Sequence, residues 1–189
     1  MKIHTTLLAL ALALAAPVAP TLAEDAPNHI EEMKRWQPKA EAGDAEAQFR
    51  LGQMYALGHG FKQNFNSAME WYEKAAAQGN AKARTALGLL YYYGVGVEED
   101  KEKAGEWFEK AAAQNDATAQ RYLGSIAYQG KDYAQAKQWW EQAAAQNNAP
   151  AMKNIGGLYA AGEGVAQDFA EAKSWFEKGA KQKNYLPVQ

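Results

Sequence analysis

Few residues in this chain could do acid–base or metal chemistry. Among 189 residues there are three histidines, His4, His29 and His59, spaced far apart. A metal centre or an acid–base pair needs converging side chains, usually His with Cys or carboxylates. Cysteine is absent, which removes thiolate metal sites, a Cys nucleophile, disulfides and a lipid-modified cysteine. His29 and His59 read as isolated, and His59, between two glycines, is expected to be a solvated turn residue. Glu31-Glu32 and Glu98-Glu99-Asp100 fall near predicted helix starts, where carboxylates complement the helix dipole. No serine stands in a Gly-x-Ser-x-Gly setting. The turns of Gly-x-Gly type lack the preceding strand that a phosphate cradle requires. The expectation is therefore no catalytic residue, no metal ligand, no cofactor and no enzymatic activity.

The aromatic residues carry a different message. Trp71, Trp107, Trp139 and Trp175 stand 36, 32 and 36 residues apart, each followed by a second aromatic. An independent landmark keeps nearly the same step: Leu51-Gly52, Leu87-Gly88, Leu123-Gly124 and Ile155-Gly156 are separated by 36, 36 and 32. A fixed period of this size is the mark of a repeat architecture. Ala68, Trp71, Tyr72 and Ala75 fall at i, i+3, i+4 and i+7, one face of a helix, and Ala104, Trp107, Phe108 and Ala111 repeat the pattern. The tryptophans are accordingly expected in the core between units and not as sugar-stacking platforms.

Two helices per unit follow from the caps. Asn64, Asp100, Asp132 and Asp168 stand seven residues before each Trp, and each can accept a hydrogen bond from the first turn of a second helix. Gln135 and Glu171 stand where a capping box would place them. Asp44, Asn80, Asp116 and Asn148 precede the Ala-rich starts of the first helices. Just before these stand Gly43, Gly79, Asn115 and Asn147, residue types that end helices in a left-handed conformation. Gly58-His59-Gly60, Gly94-Val95-Gly96-Val97 and Gly162-Glu163-Gly164-Val165 join the two helices within a pair. The third unit has only Gly130-Lys131-Asp132 there and is four residues shorter. Trp36, Lys39 and Ala40 reproduce the spacing of Trp71, Lys74 and Ala75, so a lone second helix is expected to cap the stack.

The chain also carries an address. Lys2 precedes the apolar run Leu7 to Ala16, and Thr21-Leu22-Ala23 offers small residues for cleavage, so a signal peptide over 1–23 is expected, followed by a mature chain from Glu24. Its ten-residue run is too short to span a bilayer, and no later segment approaches the roughly 20 apolar residues needed. The formal net charge of −2 offers a nucleic-acid backbone no attraction. The predicted organisation is a signal peptide at 1–23, a capping helix within 24–43, repeats at 44–79, 80–115, 116–147 (short) and 148–183, and a tail at 184–189.

Three segments carry a family resemblance: Ala-x-Ala-Gln-x-x-Leu-Gly-x-x-Tyr at 45–55, Gly94-Val95-Gly96-Val97-x-x-Asp100, and Lys103-Ala104-x-x-Trp107-x-x-Lys110-Ala111-Ala112. Together they resemble the Sel1-like repeat family, over nearly all of residues 44–181. The chain departs from the pattern in its short third turn and in Ala127, where the family has Tyr. The resemblance implies an all-α, tetratricopeptide-like right-handed superhelix of antiparallel helix pairs, used chiefly as an adaptor for other proteins and without a common reaction. A disulfide-bearing subgroup for which enzyme activity has been proposed is set aside by the lack of cysteine.

Binding by such solenoids generally uses the concave surface lined by first helices. Leu51, Gly52, Tyr55 and Tyr91 are expected in the core. The neighbouring positions, those resembling the groove positions of tetratricopeptide repeats, are Phe49 and Gln53; Lys82, Thr85, Leu89, Tyr92 and Tyr93; and Arg121, Ser125, Tyr128 and Lys153. This candidate peptide-binding set mixes aromatics with bases and contains no acid, and aromatic and Arg residues are frequent anchors. The expectation is a periplasmic or secreted adaptor for a protein or peptide in the cell envelope or outside the cell, with no nucleic acid and no membrane insertion. Two alternatives are a regulatory or structural subunit of a cell-wall enzyme complex and a weak cell-wall hydrolase.

Overall fold

Each cap residue named above stops one stretch of chain and starts the next. In the first helices, Asp44 accepts from the Ala47 N–H at 2.7 Å, Asn80 from Ala83 at 2.9 Å, Asp116 from Ala119 at 2.8 Å and Asn148 from Ala151 at 3.0 Å. In the second helices, Asn64 accepts from Ser67 at 3.1 Å, Asp100 from Lys103 at 2.8 Å, Asp132 from Gln135 at 3.0 Å and Asp168 from Glu171 at 3.0 Å. These bonds satisfy donors that a helix start otherwise leaves open. Only half of each expected capping box forms: Gln135 and Glu171 donate their backbone N–H, and no bond returns from their side chains among the described residues.

The computed structural model describes residues 29–183, and among these it contains nine helices and no strand. They are α1 (His29–Glu41), α2 (Ala45–Leu57), α3 (Phe65–Ala77), α4 (Ala81–Tyr93), α5 (Lys101–Ala112), α6 (Ala117–Gln129), α7 (Tyr133–Ala145), α8 (Ala149–Ala161) and α9 (Phe169–Lys183). The expected signal peptide and the tail at 184–189 lie outside the described residues. The chain divides into two compact units, Met1–Trp107 and Phe108–Gln189. In the first, α1, α2, α3 and α4 pack successively; in the second, α6, α7, α8 and α9 do.

First and second helices are buried differently. In α2 the buried residues are Ala47, Gln48, Phe49, Leu51, Gly52, Gln53, Met54 and Ala56, which run nearly all round the helix. In α3 only Ala68, Tyr72, Ala75 and Ala76 are buried, a single stripe. A helix buried all round carries apolar and small residues on every side, whereas a surface helix carries one apolar face. Each fully buried leucine or isoleucine here, such as Leu51, Leu87 or Ile155, contributes roughly 1.5–3 kcal/mol by leaving water.

The Leu-Gly step explains how the pairs close. A Cβ on Gly52 would stand 2.6 Å from the Tyr72 ring, one on Gly124 would stand 2.4 Å from Trp140, and one on Gly156 would stand 2.7 Å from Phe176. In these three pairs the glycine is a seat for the second aromatic, and Tyr72 and Trp140 are 0% and 3% exposed; Phe108, at the same position, is 0% exposed. This corrects the expectation that the tryptophans hold the core position. Trp71, Trp107, Trp139 and Trp175 are only partly buried. A lysine three residues on lies over the ring at Trp71, with Lys74 Nζ 3.9 Å from the centroid, and at Trp175, with Lys178 Nζ 4.2 Å from it. The lysine stem covers indole while its charge stays in water. Tyr55 and Tyr91 are likewise partly buried and not core.

Paired glutamines, one buried and one exposed, tie the links between pairs. Gln78 Nε2 donates to Gln48 Oε1 at 2.8 Å and to the Gly43 carbonyl at 2.9 Å, while Gln48 Nε2 donates to the Ala40 carbonyl at 3.2 Å. Gln146 and Gln120 repeat the arrangement, 2.8 Å apart, with both amides donating to Asn115 Oδ1. In the short third turn the left-handed residue is Lys131, at φ 64°, while Gly130 stays at φ −75°.

Candidate interaction surface

The eleven candidate residues separate by burial. Phe49 is 1% exposed, with its ring centroid 5.8 Å from that of Tyr72, and Leu89 is 2% exposed. Gln53 and Thr85 are also buried. These four are part of the packed interior and are not lining residues of a groove. The reason is the all-round burial of α2 and α4, which covers positions that would flank the core stripe of a surface helix. Thr85 Oγ1 has no hydrogen-bond partner among the described residues, an arrangement that costs stability.

Seven candidates keep exposed surface. In the first unit these are Lys82, which is exposed, and Tyr92 and Tyr93, which are partly buried. The two tyrosine rings meet edge to face at 5.0 Å, and Lys101 Nζ lies 5.8 Å from the Tyr92 centroid. The neighbouring Tyr91 holds Lys103, whose ammonium lies 4.4 Å from the ring centroid. A hydrogen bond with Tyr91 is the main cause that raises Lys103 above the ordinary lysine value.

In the second unit, Arg121, Ser125 and Tyr128 fall at i, i+4 and i+7 of α6, and Lys153 stands exposed on α8. The Arg121 guanidinium lies 3.9 Å from the Tyr122 ring centroid and makes no ion pair among the described residues. Its backbone carbonyl accepts from Trp140 Nε1 at 3.0 Å and from the Ser125 hydroxyl at 3.1 Å. The arginine therefore projects from a backbone position that the core holds in place. Tyr128 is 37% exposed and donates its hydroxyl to Glu163 Oε2 at 2.7 Å. That bond, ahead of desolvation, raises the phenol above its ordinary value.

Glu163 is the residue missing from the sequence reading, which gave the set no acid. It stands 35 positions after Tyr128, inside the glycine turn before α9, and nothing local marks it as a neighbour. The arrangement leaves Arg121 open to an incoming anion, while Tyr128 is already committed to a carboxylate.

The histidines also differ from expectation. His59 is not simply a solvated turn residue, and His29 is not isolated from it: their rings stack with centroids 4.0 Å apart and planes 13° from parallel. Burial, then the charge of His29, lowers the His59 pKa from its ordinary value, against an opposing pull from Glu32. Among the described residues no group of three or more His, Cys, Asp or Glu could hold a metal. No helix among them is long and apolar enough to cross a membrane.

Comparison with known proteins agrees with this construction. A protective antigen present in uropathogenic Escherichia coli strains and displaying an SLR fold is 35% identical, with a TM-score of 0.75 over 79% of this chain and 33% of its own. The chain thus spans about a third of that protein. A Sel1 repeat protein from Oxalobacter formigenes is 32% identical, with a TM-score of 0.72 over 81% of this chain and 69% of its own. No curated protein matches the chain. The expected all-α repeat class is the one found. Proteins of this kind generally mediate protein–protein interaction. The family profile of the Sel1 repeat matches four times in succession, at residues 45–80, 81–116, 117–148 and 149–184. With its period, its capped helix pairs and its glycine seats all accounted for by that repeat, the chain belongs to the Sel1 repeat family.

Proposed function

We propose that this chain is an exported, non-enzymatic adaptor, acting in the periplasm or outside the cell, that binds a protein or peptide carrying at least one carboxylate. The observation that carries the binding reading is Arg121: a guanidinium laid on an aromatic ring, anchored through its own carbonyl, with no ion-pair partner among the described residues. Such a group is preorganised for a bidentate carboxylate, and the ordering cost that weakens many surface ion pairs is already met. Ser125 and Tyr128 supply polar and apolar contact along the same helix face, and Lys153 adds a second positive charge in that unit. Export rests on Lys2, the apolar run after it and Thr21-Leu22-Ala23, which together form a secretory signal pattern.

Crosslinking in intact cells from a photoreactive residue at Ser125 would capture the partner. Arg121→Glu is then expected to weaken that partner's affinity by about 10-fold to 100-fold with an unchanged helical spectrum. Unchanged affinity overturns the assigned face. Intact mass tests export: a mature chain from Glu24 is expected, and a cytoplasmic protein that keeps Met1 refutes it.

A further inference from the structure

One pair of repeat positions changes its chemistry between the two units. In the first unit, Ala56 near the end of α2 and Val95 in the turn after α4 are both apolar and buried. The corresponding positions of the second unit hold Tyr128, near the end of α6, and Glu163, in the turn after α8. There the Tyr128 hydroxyl donates to Glu163 Oε2 at 2.7 Å. The helix pairs of the first unit form without such a bond, so the repeat does not require it. Glu163 is nonetheless held in place. Its own N–H donates to the Leu158 carbonyl at 3.1 Å, and the next residue, Gly164, packs on the start of α7, where a Cβ would stand 2.5 Å from Tyr133 Cβ. Tyr128 is held as well, with its ring centroid 5.4 Å from that of Tyr133 and 5.6 Å from that of Trp140. The Glu163 carboxylate thus has one oxygen on the phenol and makes no ion pair among the described residues.

Arg121 stands on the same face of α6. Seven helical residues turn through about 700°, so Arg121 and Tyr128 point within about 20° of each other and lie about 10 Å apart along the axis. One face therefore offers a guanidinium at one end and a tethered carboxylate at the other, and no ion pair joins them. We propose that Glu163 is a second recognition residue of this surface, selecting an extended partner segment with a basic side chain three or four residues from its carboxylate. The proposal rests on Arg121 taking that carboxylate. Charge complementarity decides the second group: a segment carrying only an acid leaves Glu163 without a counter-charge, and one with a second acid there is repelled. An extended chain advances about 3.3 Å per residue, so three or four residues cover the distance. Two opposite charges also fix the register of the segment on α6.

The test uses the full chain and labelled eight-residue peptides blocked at both ends. They carry one Asp alone, one Lys alone, or one Asp and one Lys separated by one to six positions. At low salt the Asp–Lys peptides are expected to bind about two-fold to five-fold more tightly than the Asp peptide, the range of an exposed ion pair, with the gain greatest at separations of three and four. Glu163→Gln keeps an acceptor for the Tyr128 hydroxyl, so it is expected to melt with the parent and to abolish the gain. Glu163→Lys is expected to turn the gain into a loss. A gain that survives Glu163→Gln, or no gain at any spacing, overturns the role of Glu163, while Asp-dependent binding still upholds Arg121. Lys-dependent binding that Glu163→Gln abolishes and Arg121→Gln leaves intact upholds Glu163 and overturns Arg121 instead. No binding by any peptide at millimolar concentration overturns both.

Discussion

Gly52 lies so close beneath Tyr72 that a Cβ there would stand 2.6 Å from two atoms of the ring. The ring is fully buried and cannot swing aside. Gly52→Ala is therefore expected to destabilise the protein by about 1–3 kcal/mol through overpacking, although alanine is the better helix former by roughly 1 kcal/mol. Gly157, which has nothing within 4 Å of an added Cβ, is the control: Gly157→Ala is expected to hold or raise stability. Denaturant melts of both variants check this.

The Tyr72 hydroxyl is buried without a hydrogen-bond partner among the described residues, and desolvation pushes its pKa up. An unmade buried hydrogen bond costs about 1–3 kcal/mol. Tyr72→Phe keeps the ring and removes the orphan, so it is expected to leave stability unchanged or to raise it by about 1 kcal/mol. A loss of more than that in a urea melt would show that the hydroxyl has a partner, such as an internal water.

Phe108 is fully buried, whereas Trp107 beside it is only partly so. Phe108→Ala is expected to cost about 3–5 kcal/mol, the range for a large aromatic lost from a packed core. Trp107→Ala is expected to cost clearly less, despite removing more atoms. Equal losses in paired melts would contradict the burial order of the aromatic pair.

The His29–His59 stack makes the first unit sensitive to acid. His59 has a pKa below its ordinary value of 6.5 in the fold, so the folded state favours the neutral ring. The contribution is complete above pH 6.5 and is lost as pH falls through the lower, folded value. Besides the paired ring, Glu32 faces the site, 3.5 Å from His29 Nδ1, and it opposes the shift. Between pH 7.5 and 5 the parent is expected to lose more thermal stability than His59→Gln. Parallel melting curves across that range would refute the coupling.

The period, the two-helix unit and all eight caps were legible in the sequence because each rests on local chemistry. A cap is a side chain bonding to an N–H two or three residues on, and a helix face is a 3.6-residue spacing. Asp44, Asn64 and their counterparts therefore announce themselves. Which of Trp71 and Tyr72 enters the core is not a local matter. The two side chains point about 100° apart on one helix, and the choice falls to the seat that Gly52 offers from 20 residues upstream. The all-round burial that withdrew Phe49, Gln53, Thr85 and Leu89 from the candidate surface is a property of how many neighbours a first helix has. The stack of His29 on His59 and the bond from Tyr128 to Glu163 were likewise decided only in the tertiary structure. Each depends on whether residues 30 or more positions away arrive beside it, and spacing within one helix carries no record of that.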